Sequence, residues 1–189
     1  MVTLGIDEVG RGCLAGPLVV GAVILNQPIS NLKDSKLLSQ RQRMLLDQDI
    51  RLLAKDYSLG LVSASEIDNL GLSKATSLAI KRALAKINTN YDEIIIDGNI
   101  NYLNNNKKAK AIIKADQLIP AVSAASIIAK VARDNLMVEL SSKYPQYGFA
   151  KHVGYGTKYH LDMLQLYGLS KEHRRSFKPV KQILKYYDE

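Results

Sequence analysis

The chain has 189 residues, 47% of them hydrophobic, with 26 Lys and Arg against 18 Asp and Glu and a formal charge of +8. That length suits one ordinary core, and the positive balance suits an anionic partner such as nucleic acid, although many basic proteins bind nothing anionic. Cys13 is the single cysteine, which excludes an intramolecular disulfide and a thiolate metal cluster. The longest apolar run, 18–25, is far short of the ~20 residues of a membrane span, and no signal pattern opens the chain. The expectation is a cytoplasmic protein with no membrane association.

Leu4 and Ile6 alternate with smaller or polar neighbours, as in a strand, and Asp7 and Glu8 follow on it or at its end. Successive strand side chains point to opposite faces, so one of these carboxylates should face inward or into a cleft. An inward carboxylate is costly unless it is paired or bound to a cation. Gly10-Arg11-Gly12 comes next, where backbone can approach a ligand and one guanidinium can hold phosphate. A second strand is predicted over 17–25. Asn26 to Lys36 reads as a polar connection. Ser39 and Gln42 form a capping-box pattern ahead of a helix with Leu46, Ile50 and Leu53 on one face.

A third strand is predicted over 57–63, a short capped helix over 65–68 ending near Gly71, and a longer helix over 73–87. On that helix Ile80, Leu84 and Ile87 take core spacing, while Lys81, Arg82 and Lys86 read as a solvated face. Glu93 to Asp97 is the clearest strand; its isoleucine run suits burial on both sides, and Asp97 stands at its carboxyl end, where ligands gather in open α/β sheets. Asn99 to Asn106 is a loop, and 110–114 reads as a short fifth strand running toward Asp116. An alanine-rich helix is predicted over 120–143, with Ile127, Ile128 and Val131 inward and Tyr144-Pro145 as its stop. Helices over 157–167 and from Pro179 complete the chain. His152, His160 and His173 have no spacing suggesting ligation and read as loop or surface residues. Strands first, then strand–helix alternation, argue for a mixed sheet with helices packed on it.

Four acidic residues stand out: Asp7, Glu8, Asp97 and Asp116. Oxygen-only ligands suit Mg²⁺ or Mn²⁺, and crowded carboxylates need cations to offset their repulsion. A two-metal site about 3.5–4 Å across would activate water on one side of a phosphate and stabilise the leaving oxygen on the other. Spacing alone leaves open whether the four converge or stand separately on the surface.

The stretches GIDEVGRGCLAGPL at 5–18, DSKLLS at 34–39, IIIDG at 94–98, KAD at 114–116, AVSAASIIAKVARD at 121–134, YGFAKHVGYGT at 147–157 and HRRSF at 173–177 resemble bacterial ribonuclease HII, in that family's order. The first and fifth are long enough to be highly specific. The resemblance implies an α/β, ribonuclease H-like mixed five-stranded sheet flanked by helices. It implies one catalytic domain over 1–189, with a helical substrate-binding region over 145–189. It implies that Asp7, Glu8, Asp97 and Asp116 bind two divalent metals, Mn²⁺ or Mg²⁺. It further implies cleavage of RNA in RNA–DNA hybrids and incision 5′ of single ribonucleotides embedded in duplex DNA, leaving 3′-hydroxyl and 5′-phosphate ends. A monomer is expected.

Position by position, Gly10, Arg11 and Gly12 resemble the family's loop that senses the ribose 2′-hydroxyl, mostly through backbone. Tyr155 resembles the tyrosine that packs on the sugar at the RNA-to-DNA junction. Lys36, Ser126 and Lys130 resemble phosphate holders; Ser126 and Lys130 read equally well as ordinary polar residues on a helix surface. Arg174 and Arg175 read as tail cations, either touching DNA or solvated. Ala115 departs from the family's usual glycine before Asp116. Two other readings compete: a junction resolvase on the same fold, which has no use for a ribose-sensing loop, and a non-catalytic hybrid binder, which gains nothing from four concentrated carboxylates.

Overall fold

A computed structural model describes residues 1–30, 32, 38–104 and 106–185. Lys36 and the rest of the DSKL segment at 34–37 therefore lie outside the described residues. The sheet has five strands: β1 Thr3–Val9, β2 Leu18–Leu25, β3 Ala54–Val62, β4 Glu93–Asp97 and β5 Ala109–Ile112. Their spatial order is β3-β2-β1-β4-β5. The first three pair antiparallel, whereas β4 runs parallel to β1 and β5 parallel to β4. The expected mixed sheet is thus present.

Helices cover both faces. On one lie α1 (Gln40–Leu53) and α5 (Pro120–Lys143); on the other lie α2 (Ala64–Leu70) and α3 (Leu72–Leu84). α1 starts with the reciprocal cap the sequence suggests, Ser39 with Gln42, and α2 with a second one, in which Ser63, expected as the end of the third strand, pairs with Glu66. Close helix approach depends on missing side chains in the sheet. A Cβ on Gly5 would lie 2.2 Å from the Ala121 carbonyl carbon, and one on Gly21 2.3 Å from the Ala125 oxygen. Alanines at 121, 124, 125 and 129 supply the matching small surface of α5, all of them buried.

The inward stripe of α5 runs through Val122, Ser126, Ala129, Arg133 and Met137. Ile127 and Ile128 are buried as expected, but Val131 is only half-buried, because Arg133 takes the inward position in the next turn. Leu53, at the last turn of α1, is 38% exposed, unlike Leu46 and Ile50. The cations of α3 are not simply solvated. Arg82 pairs with Glu66 at 2.6 Å and donates to the Leu61 carbonyl, and Lys86 donates to the Leu59 carbonyl.

The carboxyl-terminal region is built from a 3-10 turn at Pro145–Tyr147, α6 (Phe149–His152), α7 (Lys158–Tyr167) and α8 (Lys178–Lys185). It has its own core of Leu14, Ala15, Met137, Tyr147, Phe149, Leu164, Val180 and Ile183. Leu14 and Ala15 come from the β1–β2 connection, so that loop is seated in this second core rather than left in solvent.

Candidate active site

Parallel pairing of β1 with β4 sets Ile6 beside Ile96. One residue further along each strand stand Asp7 and Asp97, at the same carboxyl edge of the sheet. After β5 the chain reverses at Lys114, which takes a left-handed φ of 59°, and α4 (Ala115–Leu118) begins at once. This turn brings Asp116 back over β4, with its amide N–H 3.4 Å from Asp97 Oδ1. The fifth strand ends two residues earlier than expected because Lys114 is spent on the turn. Ala115, in the usual glycine position, is fully buried and accommodated within α4. A carboxylate oxygen from each of Asp7, Asp97 and Asp116 lies within 4.8 Å of the others.

Asp7 is 8% exposed and Asp116 3% exposed. Burial, joined by the charges of Glu8 and Asp97, raises the Asp7 carboxyl well above the usual carboxylate range. The Glu8 amide donates to Asp7 Oδ1 at 2.7 Å and the Ser126 hydroxyl bonds the same carboxylate, which offsets part of that cost. Ser126 is thus not a surface residue: it is buried on α5 against Asp7. Three converging oxygen donors, destabilised by their own proximity, fit a hard divalent cation such as Mg²⁺ or Mn²⁺.

Strand alternation turns Glu8 away from Asp7, and its side chain lies 3.6 Å from Arg11 Nε, outside the three-carboxylate cluster. Arg11 is itself held: Nη1 donates to the Tyr102 hydroxyl at 2.6 Å and to Thr76 at 3.1 Å, and the guanidinium sits over the Tyr102 ring. The exposed part of the Gly-Arg-Gly loop is therefore Gly12, with open space where a side chain would stand. Gly10 has φ +93° and its Cβ would strike Arg133 Nε at 2.3 Å, so both conformation and space require glycine there. Lys130 pairs with Asp134 at 2.8 Å. Tyr155 is 46% exposed.

Residues 4–180 match the family described as Ribonuclease HII. The chain belongs to the ribonuclease HII family. Ribonuclease HII of Aliivibrio fischeri (strain MJ11) is 50% identical over 182 residues, 95% of this chain and 87% of that protein. The crystal structure of the ribonuclease H2 from Pyrococcus horikoshii OT3 is 28% identical with a TM-score of 0.84, covering 100% of both chains. Bst-RNase HIII, whose crystal structure is in complex with Mn²⁺, shares the fold at 21% identity and TM-score 0.77, over 98% of this chain and 70% of that one. Ribonuclease HII is a metal-dependent endonuclease, and the Asp7, Asp97 and Asp116 cluster is the feature of this chain that suits such chemistry.

Two features of this ribonuclease HII chain depart from the sequence expectations. Arg174 is neither solvated nor positioned for DNA: it is fully buried, donating to the Gly16 carbonyl at 2.9 and 3.2 Å and to the Arg11 carbonyl at 3.0 Å. Arg133, also fully buried, donates to the carbonyls of Pro17, Ala15 and Val153. Together they fix the β1–β2 connection from inside. Arg175, by contrast, is exposed. The three histidines are likewise interior: His160 and His173 are 0% and 2% exposed and His152 9%. Spacings of 8 and 13 residues hide a cluster that only the folding of α6, α7 and the following loop assembles. A readable signal was Arg133, a charge on the inward stripe of a core helix.

Among the described residues no helix is long and apolar enough to cross a membrane.

Proposed function

We propose that this chain cleaves the RNA strand of RNA–DNA hybrids and incises duplex DNA on the 5′ side of a single embedded ribonucleotide, leaving 3′-hydroxyl and 5′-phosphate ends. The observation that carries the reading is the convergence of Asp7, Asp97 and Asp116 within 4.8 Å at one edge of the sheet. Support comes from family membership and from the Mn²⁺ complex of Bst-RNase HIII. Asp7, Asp97 and Asp116, with Glu8 from the adjoining strand position, hold two divalent ions, Mg²⁺ or Mn²⁺. Such ions supply a water of lowered pKa and offset negative charge on the scissile phosphate. Ser126 orients the Asp7 carboxylate through its hydroxyl, a role closer to the metal site than phosphate holding.

Selectivity for RNA has to come from groups that sense the 2′-hydroxyl. The backbone of Gly10, Arg11 and Gly12 takes that part: Gly12 has open space where a side chain would stand, so a sugar can approach its backbone, while Arg11 is anchored behind it. The half-exposed ring of Tyr155 packs on the sugar at the RNA-to-DNA junction. Lys130 exchanges Asp134 for a substrate phosphate, and Lys36, ahead of α1 in the sequence, holds another. The protein works as a monomeric catalytic domain in the cytoplasm, with residues 145–189 along the substrate. The decisive experiment incubates it with a DNA duplex carrying one ribonucleotide, and with its all-DNA counterpart, with and without Mg²⁺ or Mn²⁺. Metal-dependent incision 5′ of the ribonucleotide alone is the expected result. Equal cutting of the all-DNA duplex, or none of either, overturns the assignment.

A further inference from the structure

Directly beneath Tyr155 lie three interior imidazoles, and their partners fix where each proton sits. His152 Nε2 faces the Tyr147 carbonyl at 2.7 Å, and its Nδ1 accepts the Gly154 amide at 3.2 Å. A carbonyl only accepts and an amide N–H only donates, so His152 is the neutral Nε2–H tautomer. His173 Nδ1 meets the Ser170 amide at 3.0 Å and the Ser170 hydroxyl at 2.8 Å, so that nitrogen is an acceptor and the proton is on Nε2. His173 Nε2 lies 3.0 Å from His160 Nε2, which therefore accepts. His160 Nδ1 then carries its proton to the Tyr155 carbonyl, 2.9 Å away.

The line Ser170 N–H to His173 to His160 to Tyr155 carbonyl is thus directed in one sense, set at both ends by groups that cannot reverse. The arrangement stays neutral: burial lowers the pKa of His160 to about 4 and of His173 to about 3. Rings of His152 and His160 stack at 4.4 Å, and Phe149 meets His160 edge-on. The segment they support is otherwise under strain, with Val153 at φ 42° followed by Gly154 at φ 86°. Its polar backbone is nonetheless matched throughout. Gly154 accepts from the Leu14 amide at 2.8 Å, Val153 accepts from Arg133, and the Tyr155 amide donates to the His152 carbonyl. Every bond in this set acts on backbone, while Tyr155 itself stays 46% exposed.

We propose that His160 and His173 are positioning residues, a one-way hydrogen-bond relay that fixes the Tyr155 backbone so that its ring meets the substrate sugar in one orientation. The proposal rests on the reading of Tyr155 as the sugar-facing residue. Geometry set through a neighbour matters because misplacement by an ångström costs up to about 100-fold in rate.

The test combines spectroscopy on the unaltered enzyme with two substitutions. Long-range ¹H–¹⁵N correlation at pH 7 is expected to give His160 as the Nδ1–H and His173 as the Nε2–H tautomer. An imidazolium, or the opposite tautomer at His160, overturns the relay without any variant having to fold. His160→Leu is expected to lower kcat/KM on a single-ribonucleotide duplex on the order of 10- to 100-fold and on a long hybrid far less. His160→Asn keeps an N–H near the Nδ1 position and is expected to recover part of that loss. Equal losses on both substrates, with Asn no better than Leu, make the histidine a packing residue and overturn the proposal. Tyr155→Ala and the Tyr155 carbonyl ¹³C shift, measured alongside, separate the two readings. If Tyr155→Ala spares the junction substrate while His160→Leu moves that shift, the relay stands and the sugar contact falls. If Tyr155→Ala impairs junction cleavage and His160→Leu leaves it intact, the sugar contact stands and the relay falls.

Discussion

Arg174 Nη1 donates to the carbonyl of Arg11 at 3.0 Å, a contact across 163 residues that ties the end of the chain to the Gly-Arg-Gly loop. With the two bonds to Gly16, a fully buried guanidinium satisfies two backbone carbonyls of the β1–β2 connection. Burial lowers its pKa to about 10, which still leaves it charged at neutral pH. Arg174→Ala is therefore expected to cost about 3 kcal/mol or more, since buried acceptors left unpaired each cost on the order of 1–3 kcal/mol. Arg174→Lys recovers little, because one ammonium cannot fork between the two carbonyls. Urea unfolding at pH 7 measures both, and an alanine variant within about 0.5 kcal/mol of the parent contradicts the staple.

Asp97→Asn keeps the shape of the site and removes one of three crowded charges. Cleavage is expected to be lost. Without metal, relief of repulsion on Asp7 is expected to stabilise the fold by about 1 kcal/mol, or roughly 2–4 °C in Tm for a domain of this size. Added Mg²⁺ should raise the Tm of the parent and much less that of the variant. Near-normal turnover of Asp97→Asn at saturating Mg²⁺ removes Asp97 from the site.

The depressed histidines make stability depend on pH with a definite sign. The unfolded chain takes up a proton on each imidazole near pH 6.5, whereas native His160 and His173 wait until about 4 and about 3. Between those values the unfolded state holds more protons, so stability is full above pH 6.5 and declines as pH falls, levelling only below about 3. Over the full range the loss is expected to be about 3 kcal/mol for His160 and about 5 kcal/mol for His173. Asp7 acts in the opposite sense: its raised native pKa weakens the fold at neutral pH, and that effect fades as the carboxyl protonates. Comparing urea unfolding of the parent and His173→Gln from pH 7 to 4 isolates the histidine part. An unchanged acid slope in the variant rules it out.

Lys130 offers a test of phosphate contact. Its ammonium is held 2.8 Å from Asp134 on the next turn of α5. Lys130→Ala is expected to reduce the slope of log K against log salt by about 0.9, with no change in sequence preference. Binding to several unrelated duplexes over a salt series measures it; a loss confined to one sequence contradicts it.

The sheet was readable because its strands carry it in plain form: the isoleucine run at 94–96 and the alternation at 4–6 lead directly to Asp97 and Asp7. The cap at Ser39 is local, and local chemistry is visible in a sequence. Their convergence with Asp116 was legible only through the family resemblance, since it depends on a parallel register and a left-handed turn at Lys114. Arg174 and the histidines were misread for one physical reason. A polar residue in a coil-rich tail looks solvated until its partners are known: Arg174 finds its own 158 and 163 residues away, and His160 and His173 meet across 13. Burial of such groups follows from satisfied hydrogen bonds, which residue type alone does not announce.

Tyr155 is the residue at which ring and backbone part company. Its backbone is held on both sides: the amide donates to the His152 carbonyl, and the carbonyl accepts from the Thr157 amide and from His160 Nδ1. Even so, 46% of the residue remains exposed, on a loop next to the Gly-Arg-Gly connection through the Leu14–Gly154 bond. A ring so held loses little freedom when it meets a substrate, which is what a contact surface requires. Stacking an aromatic on a nucleotide is worth roughly 1–3 kcal/mol by alanine substitution, and ring-on-sugar contact is taken to be of the same order. Tyr155→Ala is therefore expected to depress kcat/KM at a single embedded ribonucleotide by about one to two decades. Within a long RNA–DNA hybrid no RNA-to-DNA junction meets the ring, and the loss should be smaller. Tyr155→Phe removes only the hydroxyl and is expected to fall between, because the ring that meets the sugar stays. The measurement is kcat/KM for parent and both variants on the two substrates, with thermal melts of each protein. Equal slowing of both substrates, accompanied by a fall in Tm like that of a buried aromatic, would make Tyr155 a packing residue and end its assignment to the sugar.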